Sequence, residues 1–287
     1  LKEAGLIDGF QYAHPKDIQD GKVTVTADDV LTNVPYAPGC GLWFDHHLSE
    51  EERKAFPRDF KGRSTAAPSC ARVIYEYYGG RERFPHFGDM LRAVDSTDSG
   101  NLTLEEIADP KGWILLAFLM DPRTGLGRYS DYRISNLQLM QDLMEYCRAM
   151  SIEQIMELPD IKERIKRYRQ QEALYKEMIK NNAAIYGNVL VIDLRKVPEI
   201  VTGNRFIEYA MFPEQDISIR VMWGLKKQNV VFAVGHSIVN RTSKTNVGSL
   251  MLKYGGGGHP QVGTCQVPAE IAAEVLQEMI VQMKIEG

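Results

Sequence analysis

The chain has 287 residues, of which 44% are hydrophobic, and a net charge of −4. This length supplies a sizeable core, and two domains are the default for a chain of this size. The acidic balance provides no global positive field for long nucleic acid, so a polyanion would have to be bound locally. The longest apolar stretch, 113–120, is too short to span a bilayer, and the scattered cysteines without CxxC spacing favour a reducing cytoplasm.

The first 150 residues predict strands and helices that alternate around a parallel sheet. Short apolar or β-branched runs predict strands at 23–26, 29–32 and 41–44. Helical spacing of apolar residues predicts helices at 66–78, 86–94, 102–107, 113–120 and 135–150. Ser64 and Thr65 are expected to cap the first of these helices.

The second half of the chain predicts a different arrangement. A long helix at 161–180 is expected to connect the two halves, because one apolar stripe runs along it. A helix is expected at 247–254, and Pro268 should begin the last helix. Further strands are predicted at 189–194, 217–222, 230–234 and 262–267. We therefore predict an α/β protein with domains at 1–150 and 184–287, joined by a connecting helix at 151–183.

Three side chains that can bind metals follow the predicted strand 41–44, namely Asp45, His46 and His47. Open α/β sheets bind their ligands at the carboxyl ends of their strands. Imidazole and carboxylate together suit Mn²⁺, Fe²⁺, Co²⁺ or Zn²⁺. A histidine pair satisfied by backbone groups is the alternative, and from these residues alone both explanations stay open.

A run of glycines precedes His259 near the end of the chain. Residues without Cβ can take a positive φ and bring their N–H groups close to an anion. A flexible linker or a hairpin turn is the alternative, but the run lies between a predicted helix and a predicted strand. The pattern therefore predicts substrate binding by Gly256, Gly257, Gly258 and His259.

These two motifs, in this order and at this separation, resemble the DHH phosphoesterase superfamily. Its catalytic domain carries Asp-His-His, and its associated C-terminal domain carries Gly-Gly-Gly-His. The resemblance implies a parallel-sheet DHH domain joined by a long helix to a smaller C-terminal α/β domain. It also implies that His46 ligates a metal, that His47 faces the phosphate and that Asp45 lies at or just behind the metal. We expect Asp45 and His47 to be catalytic.

The resemblance implies further metal ligands. Asp95 aligns with a metal-bridging aspartate on another loop, with Asp98 as the alternative, and helix capping would explain either residue without a metal. Asn33 stands where relatives usually have a bridging aspartate, and its neutral amide binds a divalent cation more weakly than a carboxylate does. Asp95 and Asn33 complete the expected ligand set.

Two more residues are expected to bind substrate. His236 aligns with an arginine that contacts the substrate in relatives, and Arg241 could substitute because its guanidinium suits a phosphate. The family's opening strand with paired aspartates is expected to be missing from this sequence. Its first residues, Leu1 to Gly5, resemble the helix that follows that strand.

The resemblance therefore implies a metal-dependent phosphoesterase that hydrolyses phosphodiester or phosphomonoester bonds of short oligonucleotides or small nucleotides. We expect Mn²⁺ as the cofactor, with two ions in the complete protein and Mg²⁺ or Co²⁺ as substitutes. An exopolyphosphatase-like phosphoanhydride hydrolase and a non-catalytic nucleotide-binding relative are the alternatives. The expected partners are an oligonucleotide, nucleotide or polyphosphate substrate in the cytoplasm, and no membrane. The oligomeric state stays open, a homodimer included.

Overall fold

The computed structural model describes residues 7–47 and 59–287, which divide into two compact units, one up to Ser99 and one from Gly100 to Gly287. The expected helix at the start of the sequence lies outside the described residues. The predicted domains have boundaries at 150 and 183, so they place residues 100–150 with the first domain rather than with the second unit. These domains stay a prediction.

The first unit contains a three-stranded sheet of order β1-β2-β3. Its strands are parallel, as the sequence predicted, but β3 was not among the predicted strands. Its strands are β1 (Val30–Thr32), β2 (Leu42–Asp45) and β3 (Gly62–Ser64). Its helices are α1 (Pro15–Gln19), α2 (Cys70–Tyr77), α3 (Gly80–Arg83) and α4 (Gly88–Asp98). The predicted strand at 23–26 is wrong. The Thr26 N–H instead donates to the Asp29 carboxylate over 2.7 Å, which closes a turn.

Strand β2 is buried on both faces. The Trp43 indole is 0% exposed, donates to the carbonyl of Val34 over 2.8 Å and meets the ring of Phe60. Phe44 points to the opposite face, where it packs with Cys70 and Val73 from α2. The two aromatic side chains therefore fix the end of β2 between two packed layers.

The second unit begins with a group of helices. They are α5 (Leu104–Ala108), α6 (Gly112–Met120), α7 (Asn136–Ala149), α8 (Ile152–Glu157) and α9 (Pro159–Asn181). Fully buried apolar side chains join α6 to α9, including Leu119, Leu139, Ile155 and Ile161. The helix predicted at 161–180 is α9, whereas its role as a connection between two domains stays a prediction. No helix among the described residues is long and apolar enough to cross a membrane.

A six-stranded sheet of order β4-β5-β6-β7-β9-β8 follows, and only β5 and β6 pair in parallel. The strands are β4 (Ala183–Tyr186), β5 (Val189–Asp193), β6 (Ile217–Trp223), β7 (Val230–His236), β8 (Gly257–His259) and β9 (Val262–Val267). The helices are α10 (Ile207–Met211), α11 (Val247–Leu252) and α12 (Ala272–Glu286). The last helix begins after Pro268 because residues 268–271 form a turn.

A buried ion pair links α10 to the centre of this sheet. The Arg220 Nε donates to the Glu208 carboxylate over 2.6 Å, and the Ser218 hydroxyl donates to the same carboxylate over 2.8 Å. Arg220 also donates to the Tyr175 hydroxyl and to the carbonyl of Arg205. The Glu208 residue is 2% exposed, so its charge depends on these partners.

We expect Arg220→Met to lower the free energy of unfolding by about 3–5 kcal/mol, because it leaves a buried carboxylate without its cation. Urea denaturation measures this change. Arg133→Met is the control, because the Arg133 side chain is 64% exposed. Adding Glu208→Gln to Arg220→Met should recover part of the loss. Equal stability of Arg220→Met and the control would contradict the assigned role.

Candidate functional site

Asp45, His46 and His47 lie where the central strand β2 ends. Because β1, β2 and β3 are parallel, their carboxyl ends meet at one edge of the sheet. Asp45 is 1% exposed and lies opposite Ser64, the last residue of β3. The structure thus places the motif at the strand end, where the sequence predicted it.

The His46 ring is held in one orientation by the backbone. Its Nδ1 lies 3.0 Å from the carbonyl oxygen of Ala67. A carbonyl only accepts hydrogen bonds, so Nδ1 carries the proton and Nε2 carries the lone pair of the neutral ring. This Nε2 lies 3.2 Å from Oδ2 of Asp98, yet it is buried and the geometry makes no hydrogen bond. In the neutral ring, two electron-rich atoms therefore face each other.

His47 pairs with the buried carboxylate of Asp45. The Nδ1 of His47 lies 2.8 Å from Oδ1 of Asp45, and its side chain is 39% exposed. An ionised carboxylate accepts, so Nδ1 carries the proton and Nε2 carries the lone pair of the neutral ring. The carboxylate would also stabilise the charged form of this ring, as an acid–base catalyst needs.

Asp95 and Asp98 lie on helix α4, so the predicted loop is wrong. The helix continues through both residues, and their spacing of three places them on one face. The Asp95 carboxylate accepts from the Ser69 hydroxyl over 2.7 Å and from Arg72 Nε over 3.0 Å. The structure therefore brings Asp98 to His46 and holds Asp95 against α2. The role of Asp95 as a metal ligand stays a prediction.

The sequence prediction missed Ser69 and Arg72. The Ser69 hydroxyl caps α2, because it accepts from the Arg72 N–H over 3.1 Å while it donates to Asp95. Burial lowers the pKa of the Arg72 guanidinium, but its bonds to Asp95 outweigh burial and raise the pKa. A serine before the apolar helical spacing was the available signal, but the prediction placed the cap earlier, at Ser64 and Thr65.

Asn33 follows β1 and lies beside the end of β2. Its N–H donates to the carbonyl of Phe44 over 3.0 Å, and its φ of +59° is a left-handed conformation that asparagine tolerates. Over 7–47 and 59–287, its side chain makes no hydrogen bond to the other predicted ligands. Its role as a metal ligand stays a prediction.

The facing atoms of His46 and Asp98 fit a divalent cation. In the described part of the chain, no three His, Cys, Asp or Glu side chains converge on a complete cation site. Among the residues that the structure describes, nothing donates to or accepts from the buried Nε2 of His46 in a hydrogen bond. A cation beside this atom and Oδ2 of Asp98 would satisfy both atoms. An imidazole nitrogen with a carboxylate oxygen is a donor set that Mn²⁺ accepts.

The nearby Cys70 thiol does not supply a nucleophile. Its Sγ donates to the carbonyl of Phe44 over 3.2 Å, and burial raises its pKa to about 12. A thiol with this pKa stays protonated at neutral pH, and only a thiolate attacks or binds metals well. The chemistry at this edge therefore belongs to the imidazole and carboxylate groups.

The last two glycines of the run form the edge strand β8 together with His259. Only Gly255 has a left-handed φ, +74°, so the expectation of positive φ is wrong for Gly256, Gly257 and Gly258. Close backbone packing explains two of these glycines, since a Cβ on Gly256 would lie 2.1 Å from the oxygen of Thr264. A Cβ on Gly258 would lie 2.2 Å from the oxygen of Val262, whereas one on Gly257 would meet no atom of the described residues within 4 Å.

Gly257 and His259 share one face of β8, because side chains two residues apart in a strand point the same way. His259 is exposed and pairs with Val262 across the hairpin. Helix α11 packs closely on the strand, since a Cβ on Gly248 would lie 2.8 Å from the oxygen of Gly258. Packing therefore does not explain why position 257 is a glycine. Substrate binding by Gly256, Gly257, Gly258 and His259 stays a prediction.

His236 and Arg241 already bind backbone carbonyls. The His236 Nε2 lies 2.8 Å from the oxygen of Thr245, so this nitrogen donates. Arg241 donates from Nε to Ile238 over 3.1 Å and from Nη2 to Gly100 over 2.7 Å. A neutral His236 therefore presents a lone pair at Nδ1 rather than a donor. Phosphate binding by these two residues stays a prediction.

We expect Gly258→Ala to destabilise the protein by about 1–3 kcal/mol, because the added Cβ overpacks against β9. Gly257→Ala is the matched control, because its Cβ enters open space. Thermal unfolding should therefore give a lower Tm for Gly258→Ala alone. Equal Tm values for the two variants would contradict this packing.

A solved structure similar to this chain is the pGpG-specific phosphodiesterase PggH from Vibrio cholerae. It has 48% sequence identity and a TM-score of 0.85, and the match covers 100% of this chain and 94% of that chain. No family model matches the sequence, and no curated protein matches it.

Two other solved structures are less similar. An exopolyphosphatase-related protein from Bacteroides fragilis has 16% identity and a TM-score of 0.49, over 94% of this chain and 69% of that chain. The DHH domain of a protein assigned to a family of ribosomal proteins has 14% identity and a TM-score of 0.42, over 84% and 62%. With these scores, neither supports an argument about this chain.

The match to PggH extends over both motif regions, because it covers the whole of this chain. It confirms the predicted α/β fold and, at the level of a phosphoesterase, the predicted activity. Dependence on Mn²⁺ stays a prediction. The chain belongs to the DHH phosphoesterase superfamily.

Proposed function

We propose that this protein is a cytoplasmic, Mn²⁺-dependent phosphodiesterase that hydrolyses pGpG. The supporting observation is its 48% identity to a pGpG-specific phosphodiesterase over the full chain. In this reaction, water adds to the bridging phosphorus and the 3′ oxygen leaves with a proton, so one pGpG gives two GMP. pGpG also belongs to the class of small nucleotides that the sequence predicted as substrates.

His46 and Asp98 would hold the cation in this proposal. The hydrogen bond from Nδ1 of His46 to Ala67 keeps the lone pair on Nε2, beside Oδ2 of Asp98. When bound, a divalent cation supplies a stronger nucleophile than bulk water and neutralises charge on the phosphoryl group. The buried Asp45 and the exposed Asn33 at neighbouring strand ends are proposed as further ligands.

His47 would move the proton that the leaving group needs. Asp45 holds the Nδ1 proton of His47 and stabilises the ring when it is charged. The charged ring can then donate from Nε2 to the departing 3′ oxygen. In this proton transfer Asp45 acts through the histidine, because its Oδ1 accepts from Nδ1 of His47.

The exposed face of β8 is proposed to bind the anionic end of the substrate, unless the arginine site described below takes the 5′-phosphate in its place. The open space at Gly257 lets a phosphate oxygen approach the backbone, and His259 on the same face adds a polar contact. His236 and Arg241 remain proposed contacts. Arg241 would contribute the N–H donors that do not bind the carbonyls of Ile238 and Gly100.

Purified protein should convert pGpG to GMP with Mn²⁺, lose this activity in EDTA and regain it when Mn²⁺ is restored. We expect His46→Ala to lower kcat/KM at least about a hundredfold, because the loss of a ligand misplaces the cation. His86→Ala is the control, because this histidine is exposed and lies outside the motif. Chromatography of pGpG, pApA and polyphosphate reactions measures the outcome.

Cleavage of polyphosphate but not pGpG would favour the exopolyphosphatase alternative. Binding of pGpG without hydrolysis of any substrate would favour the non-catalytic alternative. Full activity of His46→Ala would remove this histidine from the reaction.

We expect Asp98→Asn to weaken Mn²⁺ binding at least about tenfold, because a neutral oxygen replaces a carboxylate beside Nε2 of His46. Asp95→Asn is the matched comparison, since its carboxylate is engaged by Ser69 and Arg72. Electron paramagnetic resonance of Mn²⁺ titrations gives both affinities. A larger loss for Asp95→Asn would make Asp95 the ligand, as the sequence first predicted.

A further inference from the structure

The same local turn, an aspartate followed two residues later by an arginine, occurs twice in the second unit. In the turn of Asp193 and Arg195, the carboxylate accepts from the Arg195 N–H over 3.1 Å and from its Nε over 2.9 Å. In the turn of Asp121 and Arg123, the corresponding distances are 2.9 Å and 2.8 Å. The first pair is bidentate, because Arg195 Nη2 also donates to Asp193 over 2.6 Å.

The second turn differs because another arginine joins it. Arg205 donates from Nε to the Asp121 carboxylate over 3.2 Å. Two guanidinium groups therefore share one carboxylate, which leaves an excess positive charge. In the part of the chain that the structure describes, the Nη atoms of Arg123 and Arg205 donate no hydrogen bond.

The pKa shifts of the arginines also distinguish the balanced turn from the turn with excess positive charge. The bonds to Asp193 raise the pKa of Arg195, as expected for a balanced pair. The pKa of Arg205 is lowered instead, first by burial and then by the charge of Arg123. A second anion beside Arg205 would offset this repulsion.

The Arg205 side chain is fixed by its surroundings. Its guanidinium lies 3.8 Å from the centre of the Phe206 ring, and its side chain is 25% exposed. Its backbone carbonyl accepts from the buried Arg220 over 3.0 Å. The adjacent Asn204 amide donates to the carbonyl of Ile107 over 3.0 Å. These contacts reduce the entropy that this arginine would lose when it binds a ligand.

We propose that Arg123 and Arg205 form a binding site for a phosphate monoester group. A phosphate monoester offers three oxygens and close to two negative charges, and arginine binds phosphate through two parallel N–H donors. The Nη atoms of the two arginines supply such donors around one shared carboxylate. The identification of this phosphate as the 5′-phosphate of pGpG rests on the proposed function.

Isothermal titration with GMP in EDTA tests the site without hydrolysis, and guanosine reports binding that does not involve the phosphate. We expect Arg205→Met and Arg123→Met each to raise the Kd for GMP at least about tenfold, the usual loss for a hydrogen bond to a charged group. Arg195→Met is the matched control and should bind GMP like the parent. The Arg123 side chain is 64% exposed, so its variant keeps the test independent of folding.

Unchanged GMP affinity in both variants would overturn the site. Rates with pGpG and GpG then identify the source of the phosphate. If the site holds the 5′-phosphate of the substrate, the variants lose the preference for pGpG over GpG. If GMP binding falls and this preference stays, the site binds the phosphate of a nucleoside monophosphate such as GMP, and the 5′-phosphate of pGpG lies elsewhere. Because the titration needs no hydrolysis, its result stands even if pGpG is not the substrate.

Discussion

The hydrogen bond between His46 and the carbonyl of Ala67 determines what the sheet edge can do. It assigns the proton to Nδ1 and leaves a buried lone pair at Nε2, 3.2 Å from a carboxylate oxygen of Asp98. The ring can be held this rigidly because the preceding strand is fixed on both faces by Trp43 and Phe44. Packing of the strand thus fixes the position of His46, and its bond to Ala67 leaves Nε2 as the nitrogen that can bind a cation.

Sequence patterns predicted the elements whose apolar residues are periodic, such as β9 and α9. Strand β3 was missed because Gly62, Arg63 and Ser64 carry no apolar pattern, and only pairing with β2 defines it. The contacts of Asp95 were missed for a related reason. They join α4 to α2, and no local pattern encodes which aspartate of a helical turn faces an arginine and which faces a histidine.

The distribution of charge explains how a chain with a net charge of −4 can handle anionic nucleotides. Most arginines in the second unit are neutralised by nearby carboxylates, as Arg195 is by Asp193. Attraction is therefore confined to places where the local balance fails, such as the shared carboxylate of Asp121. Local excess of this kind gives short anionic ligands a specific position without attracting long polyanions over the whole surface.

Strand β8 carries a conformational cost that the inner strands do not. It lies at the edge of the sheet, and within 7–47 and 59–287 it pairs with β9 alone. It also contains two glycines, which lose more backbone entropy on ordering than other residues. Its local opening therefore requires less free energy than that of β7, which pairs on both sides. A ligand that binds the paired form of β8 opposes the opening of this strand, so ligand affinity and hydrogen-exchange protection of β8 are thermodynamically coupled.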